Sequence, residues 1–382
     1  GNDALGANNG ASDNTAIGHE AMLVNTSGNS NVAVGKDALH SNTTASNNTA
    51  VGLDALQANT TGSGNTAVGK GALPANTTGD NNVALGKDAL QDSTTGDNNT
   101  ALGQNALADN TTADNNTAVG YKALRLNTSG TENVAVGSVA LDAVTTSSDN
   151  TAIGFAALSS NTAGNNTGLG AYSLYLNTTG TQNVAVGAYA LDANTTAGTN
   201  TAIGYAALTA SNGGSYNTAV GGAAMMSLTT GQYNTGCGAS AGEEITTGGN
   251  NLCLGLNAGR SSSPSGTITT GSNNVCLGNN SISNLYCADT SISSSDARDK
   301  TDVTDFTHGL SWIKELRPVT YRWDRRSWYT DDPDTKGIPD GSKKRERIHI
   351  GFLAQEAIEV EKKHGYADKK DNMLIVNQDE DE

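Results

Sequence analysis

A unit of 17 residues recurs sixteen times along the chain and limits the folds that the chain can adopt. The unit reads approximately N-[TV]-A-[VIL]-G-x-x-A-L-x-x-N-T-T-G-x-x. The spacing is 17 residues except for one step of 16, from Asn150 to Asn166, and one of 23, from Asn251 to Asn274. Self-similarity at a short fixed period is typical of solenoid proteins, so each unit is predicted to be one coil. The units open at Asn14, Asn31, Asn48, Asn65, Asn82, Asn99, Asn116, Asn133, Asn150, Asn166, Asn183, Asn200, Asn217, Asn234, Asn251 and Asn274.

The composition of the unit predicts a thin parallel β-solenoid. The fifth residue is Gly in all sixteen units, which indicates a positive φ or a close backbone approach at a corner. The fourth residue is aliphatic except for Cys237, and the ninth is mostly Leu. The N-T-T-G segment consists of residues that favour turns. Each coil is predicted to bury about three apolar side chains, which are too few to fold alone. At about 4.8 Å per coil, the rod would be about 75 Å long.

Such a rod is expected to be a homotrimer. One aliphatic column and one Leu column would give a single chain little core, and long strand edges would remain uncovered. The unit resembles the head repeats of trimeric autotransporter adhesins, which form a left-handed parallel β-roll, and the repeats of phage tail fibres. The choice of a trimer over a dimer rests partly on this resemblance. Because 17 is not a multiple of six, the handedness and cross-section stay open.

The polar columns of the repeat allow three interpretations: an ice-binding ladder, a sugar-contacting surface, or solvated turns that stack well. The third is favoured, because Asn and Thr ordinarily form solenoid corners. Acids such as Asp37, Asp54 and Asp88 recur at one position, which is predicted to be exposed and to serve solubility. A glycan hydrolase would need paired carboxylates in a cleft, so no turnover enzyme is predicted in the repeats.

Charge and composition limit the kinds of ligand and partner that the protein is expected to bind. The formal charge of −16 argues against nucleic acid, and no run of about 18 apolar residues predicts a membrane span. No CxxC or CxxH pair occurs, so neither a metal site nor a cofactor is expected. Cys253 and Cys276 share one position of successive coils and are expected to be free buried thiols. The chain starts at Gly1 without an initiator Met or a signal-peptide pattern, and is expected to be a fragment or processed product.

The composition changes near residue 290. All three Trp and 16 of the 22 Lys and Arg residues lie at or after Arg298, which predicts a repeat fibre over 1–290 and a second domain over 291–382. In that domain a helix is predicted before Pro318, strands over 319–323 and 348–353, and a helix from 354 that ends at Gly365. The apolar face of the first helix would consist of Leu310, Trp312, Ile313 and Leu316. The second domain is therefore expected to be small and α+β.

Three motifs occur in order in this second domain: SDARDK over 295–300, GLSWIKELRPVTYRW over 309–323, and GFLAQE over 351–356. They resemble the self-cleaving intramolecular chaperone domain at the C-terminus of phage endosialidases and of other tail fibres and spikes. The resemblance implies that the domain trimerises, assists folding of the upstream fibre, and releases itself once by cutting at Ser295–Asp296. Members of that family usually continue into a coiled coil after AQE, and this helix is expected to be missing here.

The same resemblance gives Ser295 the role of nucleophile and Lys300 that of its partner. A serine hydroxyl is a poor nucleophile unless a neighbouring base takes its proton, and Lys300 could do so only when neutral. Nearby positive charge from Arg298 would favour the neutral amine; the alternative for Arg298 is a purely structural role. The alternative for the pair is an exposed linker with a surface ion pair, and the bond that is cut stays open on either side of the serine.

Two further residues, Gln355 and Glu356, match family positions and are expected to support the site. The alternative for both is helix N-terminal capping and packing. The predicted protein is a homotrimeric tail fibre on the virion, outside the cell, that attaches to a host surface receptor, for which a glycan is one candidate. A bacterial surface adhesin of the autotransporter type is the alternative.

Overall fold

The computed structural model describes residues 1–284, 314–322, 342, 346 and 348–364. The chain forms two compact units, Gly1–Tyr286 and Cys287–Glu382. The boundary predicted between residues 290 and 291 lies outside the described residues.

The first unit is a parallel β-solenoid in which each coil contributes one strand of three residues, at positions two to four of the repeat. Successive strands pair in parallel and in register, so equivalent residues lie side by side. The predicted mainly-β solenoid of 17-residue coils is thus confirmed. The strands are β1 (Thr15–Ile17), β2 (Val32–Val34), β3 (Thr49–Val51), β4 (Thr66–Val68), β5 (Val83–Leu85), β6 (Thr100–Leu102), β7 (Thr117–Val119), β8 (Val134–Val136), β9 (Thr151–Ile153), β10 (Thr167–Leu169), β11 (Val184–Val186), β12 (Thr201–Ile203), β13 (Thr218–Val220), β14 (Thr235–Cys237), β15 (Leu252–Leu254) and β16 (Val275–Leu277).

The two irregular repeats keep the register. Across the 16-residue step, β9 and β10 still pair Thr151 with Thr167. Across the 23-residue step, β15 and β16 pair Leu252 with Val275. Differences in coil length are therefore absorbed between the strands and leave the stack itself unchanged.

The invariant glycine is required for both reasons that the sequence suggests. At Gly35, φ is +144°, a conformation that L side chains rarely adopt. A Cβ at Gly35 would lie 2.3 Å from the carbonyl oxygen of Gly52 in the next coil. Adjacent backbones thus pass too close at this corner for any side chain.

The core consists of three columns, formed by the third, eighth and ninth residues of most coils. In the second coil these residues are Ala33, Ala38 and Leu39, all fully buried. Leu39 has a φ of +50°, and a bulky residue there costs roughly 1–2 kcal/mol. Burying a Leu side chain contributes about 1.5–3 kcal/mol, which offsets that strain.

The fourth-position aliphatic residues do not belong to this core, and the expectation that they do was wrong. Side chains alternate along a strand, so burying the third residue turns the second and fourth outward. Ile17 is 59% exposed and Leu85 is 46% exposed. The solenoid therefore carries an aliphatic column on its surface.

The interpretation of the Asn columns as solvated turns was also wrong, because the first and twelfth residues of the unit are buried. Asn42 Nδ2 donates hydrogen bonds to Asn25 Oδ1 in the preceding coil (2.9 Å) and to the Ala45 carbonyl (3.0 Å). Asn31 Nδ2 donates to the same carbonyl at 2.9 Å, and its backbone N–H donates to Asn14 Oδ1 at 2.9 Å. These amides close each coil and link it to the next, so neither ice nor sugar can reach them.

The thirteenth residue forms a third polar column nearer to the surface. The Thr43 hydroxyl donates to the carbonyl of Thr60 at 3.0 Å, and Thr60 repeats the contact with Thr77 at 2.9 Å. This column satisfies backbone carbonyls between coils, as stacked threonines in a solenoid turn are expected to do.

In the second unit, β17 (Val319–Tyr321) and β18 (His349–Gly351) pair antiparallel, and α1 spans Ala354–Lys363. Both strands are shorter than predicted, and α1 ends one residue before its C-cap, His364. Lys314 and Glu315 are helical, and the chain leaves the helical conformation at Leu316, before Pro318. The remaining apolar residues of that predicted helix, Leu310, Trp312 and Ile313, lie outside the described residues.

Candidate functional site

The residues predicted to cut the chain, Ser295, Asp296, Arg298 and Lys300, lie outside the described residues. The two supporting residues, Gln355 and Glu356, lie in the first turn of α1, where Gln355 is exposed and Glu356 is half-buried.

Glu356 binds a basic residue across the second unit. Arg317 Nε donates a hydrogen bond to Glu356 Oε2 at 3.0 Å, and Arg317 Nη2 donates to Oε1. The hydrogen bond from Arg317, together with its charge, lowers the pKa of the Glu356 carboxyl below its ordinary value. The N-cap residue of α1 is Leu353, which has no side-chain acceptor, so no capping box forms. Glu356 therefore orients α1 toward the segment before β17.

A second contact fixes the other end of α1 to the same segment. Lys363 Nζ lies 2.8 Å from Glu315 Oε2, and His364 Nε2 lies 3.4 Å from Glu315 Oε1. The hydrogen bond from Lys363 lowers the pKa of the Glu315 carboxyl. Sequence reasoning missed Arg317, Glu315 and Lys363, because their partners are 39 and 48 residues distant and no local pattern connects them.

The outward sheet face of the solenoid is the second candidate surface. It consists of the second and fourth residues of each repeat unit, the first and last residues of its strand, which are Thr or Val followed by Val, Ile or Leu in most coils. Leu169, Ile203 and Leu254 on this face are each at least 38% exposed. Exposed apolar side chains that recur along one face make this face a candidate interaction surface.

A third candidate surface, here named the aromatic ladder, consists of Phe155, Tyr172, Tyr189 and Tyr205. These residues occupy the sixth or seventh position of four successive coils, with ring centroids 5.3, 5.3 and 6.0 Å apart. Phe155 is 48% exposed and Tyr205 is 65% exposed. Tyr175 extends the ladder sideways, with its ring 5.4 Å from that of Tyr172.

Sequence reasoning missed the aromatic ladder because its members alternate between two positions and form no single column. A signal was available in their distribution. All eight aromatic residues of the segment 1–284 lie between Tyr121 and Tyr233.

Two buried thiols face each other near the last coil. Cys253 and Cys276 are directly paired on β15 and β16, and both are free. Burial, and secondly the neighbouring Cys276, raise the pKa of Cys253 to about 12. This thiol is therefore protonated and unreactive at neutral pH. Cys237, at a fourth position, is exposed.

The acids at the seventh position are not on an exposed face, contrary to expectation. Asp37 is 8% exposed, and Asp54 and Asp88 are half-buried. Their φ values are +56°, +58° and +55°. Asp and Asn tolerate this left-handed conformation better than other non-glycine residues, which explains their recurrence.

The described residues contain no helix that is both long enough and apolar enough to cross a bilayer.

Comparison with known families identifies the C-terminal segment. Residues 295–366 match the model of the family Peptidase_S74, described as chaperone of endosialidase. The match begins at Ser295 and contains all three motifs of the second domain, which confirms the resemblance. No curated protein matches the chain.

Proposed function

We propose that the chain is a homotrimeric tail fibre of a phage virion whose C-terminal domain assists folding and then releases itself by one cleavage near Ser295. The observation that carries this proposal is the match to a chaperone of endosialidase that starts at Ser295, downstream of a solenoid of sixteen strands. A bacterial surface adhesin is the alternative, and the same match favours the fibre.

The proposed cleavage uses the two residues at the start of the match. The proton of the Ser295 hydroxyl passes to the neutral Lys300 amine while Oγ forms a bond to a carbonyl carbon. The peptide C–N bond then breaks, and the departing nitrogen takes the proton from Lys300. Water hydrolyses the resulting ester and restores the hydroxyl. The attacked carbonyl is that of Ser294 or that of Ser295. The fibre released by cleavage after Ser295 is one serine longer than the fibre released by cleavage after Ser294.

Trimer formation is supported by the outward sheet face. The aliphatic fourth-position side chains from Ile17 to Leu277 are exposed or half-buried in one chain. Burying such area stabilises association by roughly 25 cal/mol per Å². Three copies that pack this face together would remove a continuous column from water.

Intact mass, measured under denaturing conditions, tests the cleavage. The wild-type protein is expected to split at Ser295, whereas Ser295→Ala stays whole and the matched control Ser293→Ala splits normally. Light scattering on the released fibre is expected to give three chains per particle. A wild type that stays whole would contradict self-cleavage, and a released fibre of one chain would contradict the trimer.

We infer that the host receptor is a glycan and that the aromatic ladder contacts it. Exposed tyrosine rings offer an apolar face for stacking on sugar rings and a hydroxyl for hydrogen bonds. Tyr189 and Tyr205 present such rings on successive coils, and Phe155 adds an exposed phenyl ring two coils before Tyr189. A repeating polymer could therefore contact several rings at once, which raises its affinity.

Binding to an array of purified bacterial surface polysaccharides tests this inference. Tyr205→Ala is expected to weaken binding about tenfold, because one aromatic contact contributes about 1.5 kcal/mol. Tyr121→Ala removes an exposed tyrosine outside the ladder and is expected to change nothing. An equal loss in both variants, or the lack of any bound polysaccharide, would exclude the ladder as the receptor site.

A further inference from the structure

A cluster of ionisable side chains lies where the first two full coils meet. His19 Nε2 lies 3.7 Å from Glu20 Oε1 in the first of these coils. One ligand atom each from His19, Glu20 and Asp37 lies within 4.8 Å of the other two, and Asp37 belongs to the second coil. His40, also of the second coil, places its Nε2 3.6 Å from Glu20 Oε2.

One carboxylate in the cluster is incompletely paired. Asp37 is 92% buried, and Lys36 Nζ lies 2.7 Å from its Oδ2. Its other oxygen, Oδ1, is buried without a hydrogen-bond partner. An unpaired buried carboxylate oxygen is costly, and a bound cation would remove that cost. Among the described residues, Asn105 Oδ1 at the same repeat position is also buried without a partner, but at Asp37 the unpaired oxygen coincides with an imidazole and a second carboxylate.

The cluster is not a general property of the repeat. The only histidines in residues 1–284 are His19 and His40, and they fall in successive coils. At the same two positions three coils further on, Lys87 and Asp88 form an ion pair of 2.9 Å without an imidazole nearby in sequence. The lysine–aspartate ion pair at these positions therefore forms without histidine. The presence of His19 and His40 beside Asp37 is not explained by that ion pair.

We propose that His19, Glu20 and Asp37 bind one divalent transition-metal ion of the zinc class. One imidazole nitrogen and two carboxylate oxygens are zinc ligands, and water would complete a tetrahedral site. Calcium and magnesium prefer oxygen-only ligand sets, so the imidazole disfavours them. His40 is a positioning residue that orients Glu20. Lys36, whose side chain is 59% exposed, is free to move from Asp37 when the ion binds.

The position of the ligands gives the ion a structural consequence. His19 and Glu20 belong to one coil and Asp37 to the next, so the ion would cross-link two coils that are otherwise joined by hydrogen bonds. Both acids have left-handed backbone conformations, with φ of +54° at Glu20 and +56° at Asp37. Metal binding would thus hold the strained turn at this corner and raise the melting temperature of the protein.

Zinc titration of the metal-free full-length chain by calorimetry tests the proposal. The wild type is expected to bind one more equivalent of Zn²⁺ than His19→Ala or Asp37→Asn, or to bind that equivalent at least tenfold more tightly. Asp88→Asn, the matched control at the same repeat position, is expected to retain it. A tenfold excess of Ca²⁺ is expected not to displace the zinc.

A melting curve provides a readout that does not depend on counting equivalents. Zinc at 100 times its dissociation constant is expected to raise the melting temperature of the wild type and of Asp88→Asn but not that of His19→Ala. His19 is exposed, so its replacement should leave the fold intact, and circular dichroism checks this. Equal zinc stoichiometry and affinity in the wild type and His19→Ala would overturn the proposal, as would an equal thermal shift.

Discussion

Replacing Gly103 with Ala is expected to destabilise the solenoid by about 3 kcal/mol or more. Gly103 has a φ of +132°, and a Cβ there would lie 2.5 Å from the Gly120 carbonyl oxygen. The added methyl group would strain the backbone and separate two coils at the same time. Because each coil contacts only its neighbours, the damage would divide the stack at this point. Urea unfolding followed by circular dichroism measures the loss, and hydrogen exchange locates it.

The matched control for this substitution is Gly222→Ala. Gly222 has no heavy atom within 4 Å of an added Cβ, and its φ does not lie in the left-handed range. Its replacement is expected to be neutral or slightly stabilising, because alanine reduces the freedom of the unfolded chain. If Gly103→Ala and Gly222→Ala unfold at the same urea concentration, close approach at the corner is not what requires glycine.

Replacing Asn59 with Ala is expected to cost about 2–4 kcal/mol, because it interrupts the buried amide column. Asn59 Nδ2 donates to Asn42 Oδ1 at 3.0 Å and to the Gly62 carbonyl at 2.9 Å. Its own Oδ1 accepts a hydrogen bond from Asn76 Nδ2 at 2.8 Å. The substitution therefore leaves Asn42 Oδ1 without this donor and Asn76 with one amide hydrogen unpaired, in a region closed to water.

The control lies two residues away. Thr61 is exposed, and Thr61→Ala is expected to change the free energy of unfolding by less than about 0.5 kcal/mol. Both variants are compared with the wild type in the same urea series. A cost for Asn59→Ala no larger than that for Thr61→Ala would show that water replaces the lost amide contacts, and would contradict a sealed column.

The sequence predicts the period, the strand positions and the glycine corner, because each depends on one residue type repeated in one column. It does not predict which apolar column is buried. The fourth-position residues, such as Val34, are more hydrophobic than Ala33, but strand alternation permits only one of these two neighbours to face inward. Ala33 faces inward because it packs against Ala38 and Leu39 of the same coil. Leu39 has a left-handed backbone conformation, which residue propensities do not predict for leucine.

The burial and the partners of the polar residues are likewise not predicted by the sequence. Asn is ordinarily exposed, so Asn42 reads as a turn residue until its two hydrogen bonds in a closed coil are known. Similarly, Glu356 could be matched to a family position from sequence, but its partner Arg317 is fixed only by the packing of α1 against the preceding segment. The roles of Ser295 and Lys300 come from the family resemblance and remain predictions.

The in-register stacking of the coils has a consequence for how such a chain can change its length. Each coil is bonded to its neighbour through the same atoms, for example from the Asn31 backbone N–H to Asn14 Oδ1 and from the Asn48 N–H to Asn31 Oδ1. Whole coils are therefore interchangeable, and one can be gained or lost without exposing an unmatched surface. Unequal recombination between near-identical repeats in the gene would lengthen or shorten the rod in steps of about 4.8 Å while every remaining joint stayed intact.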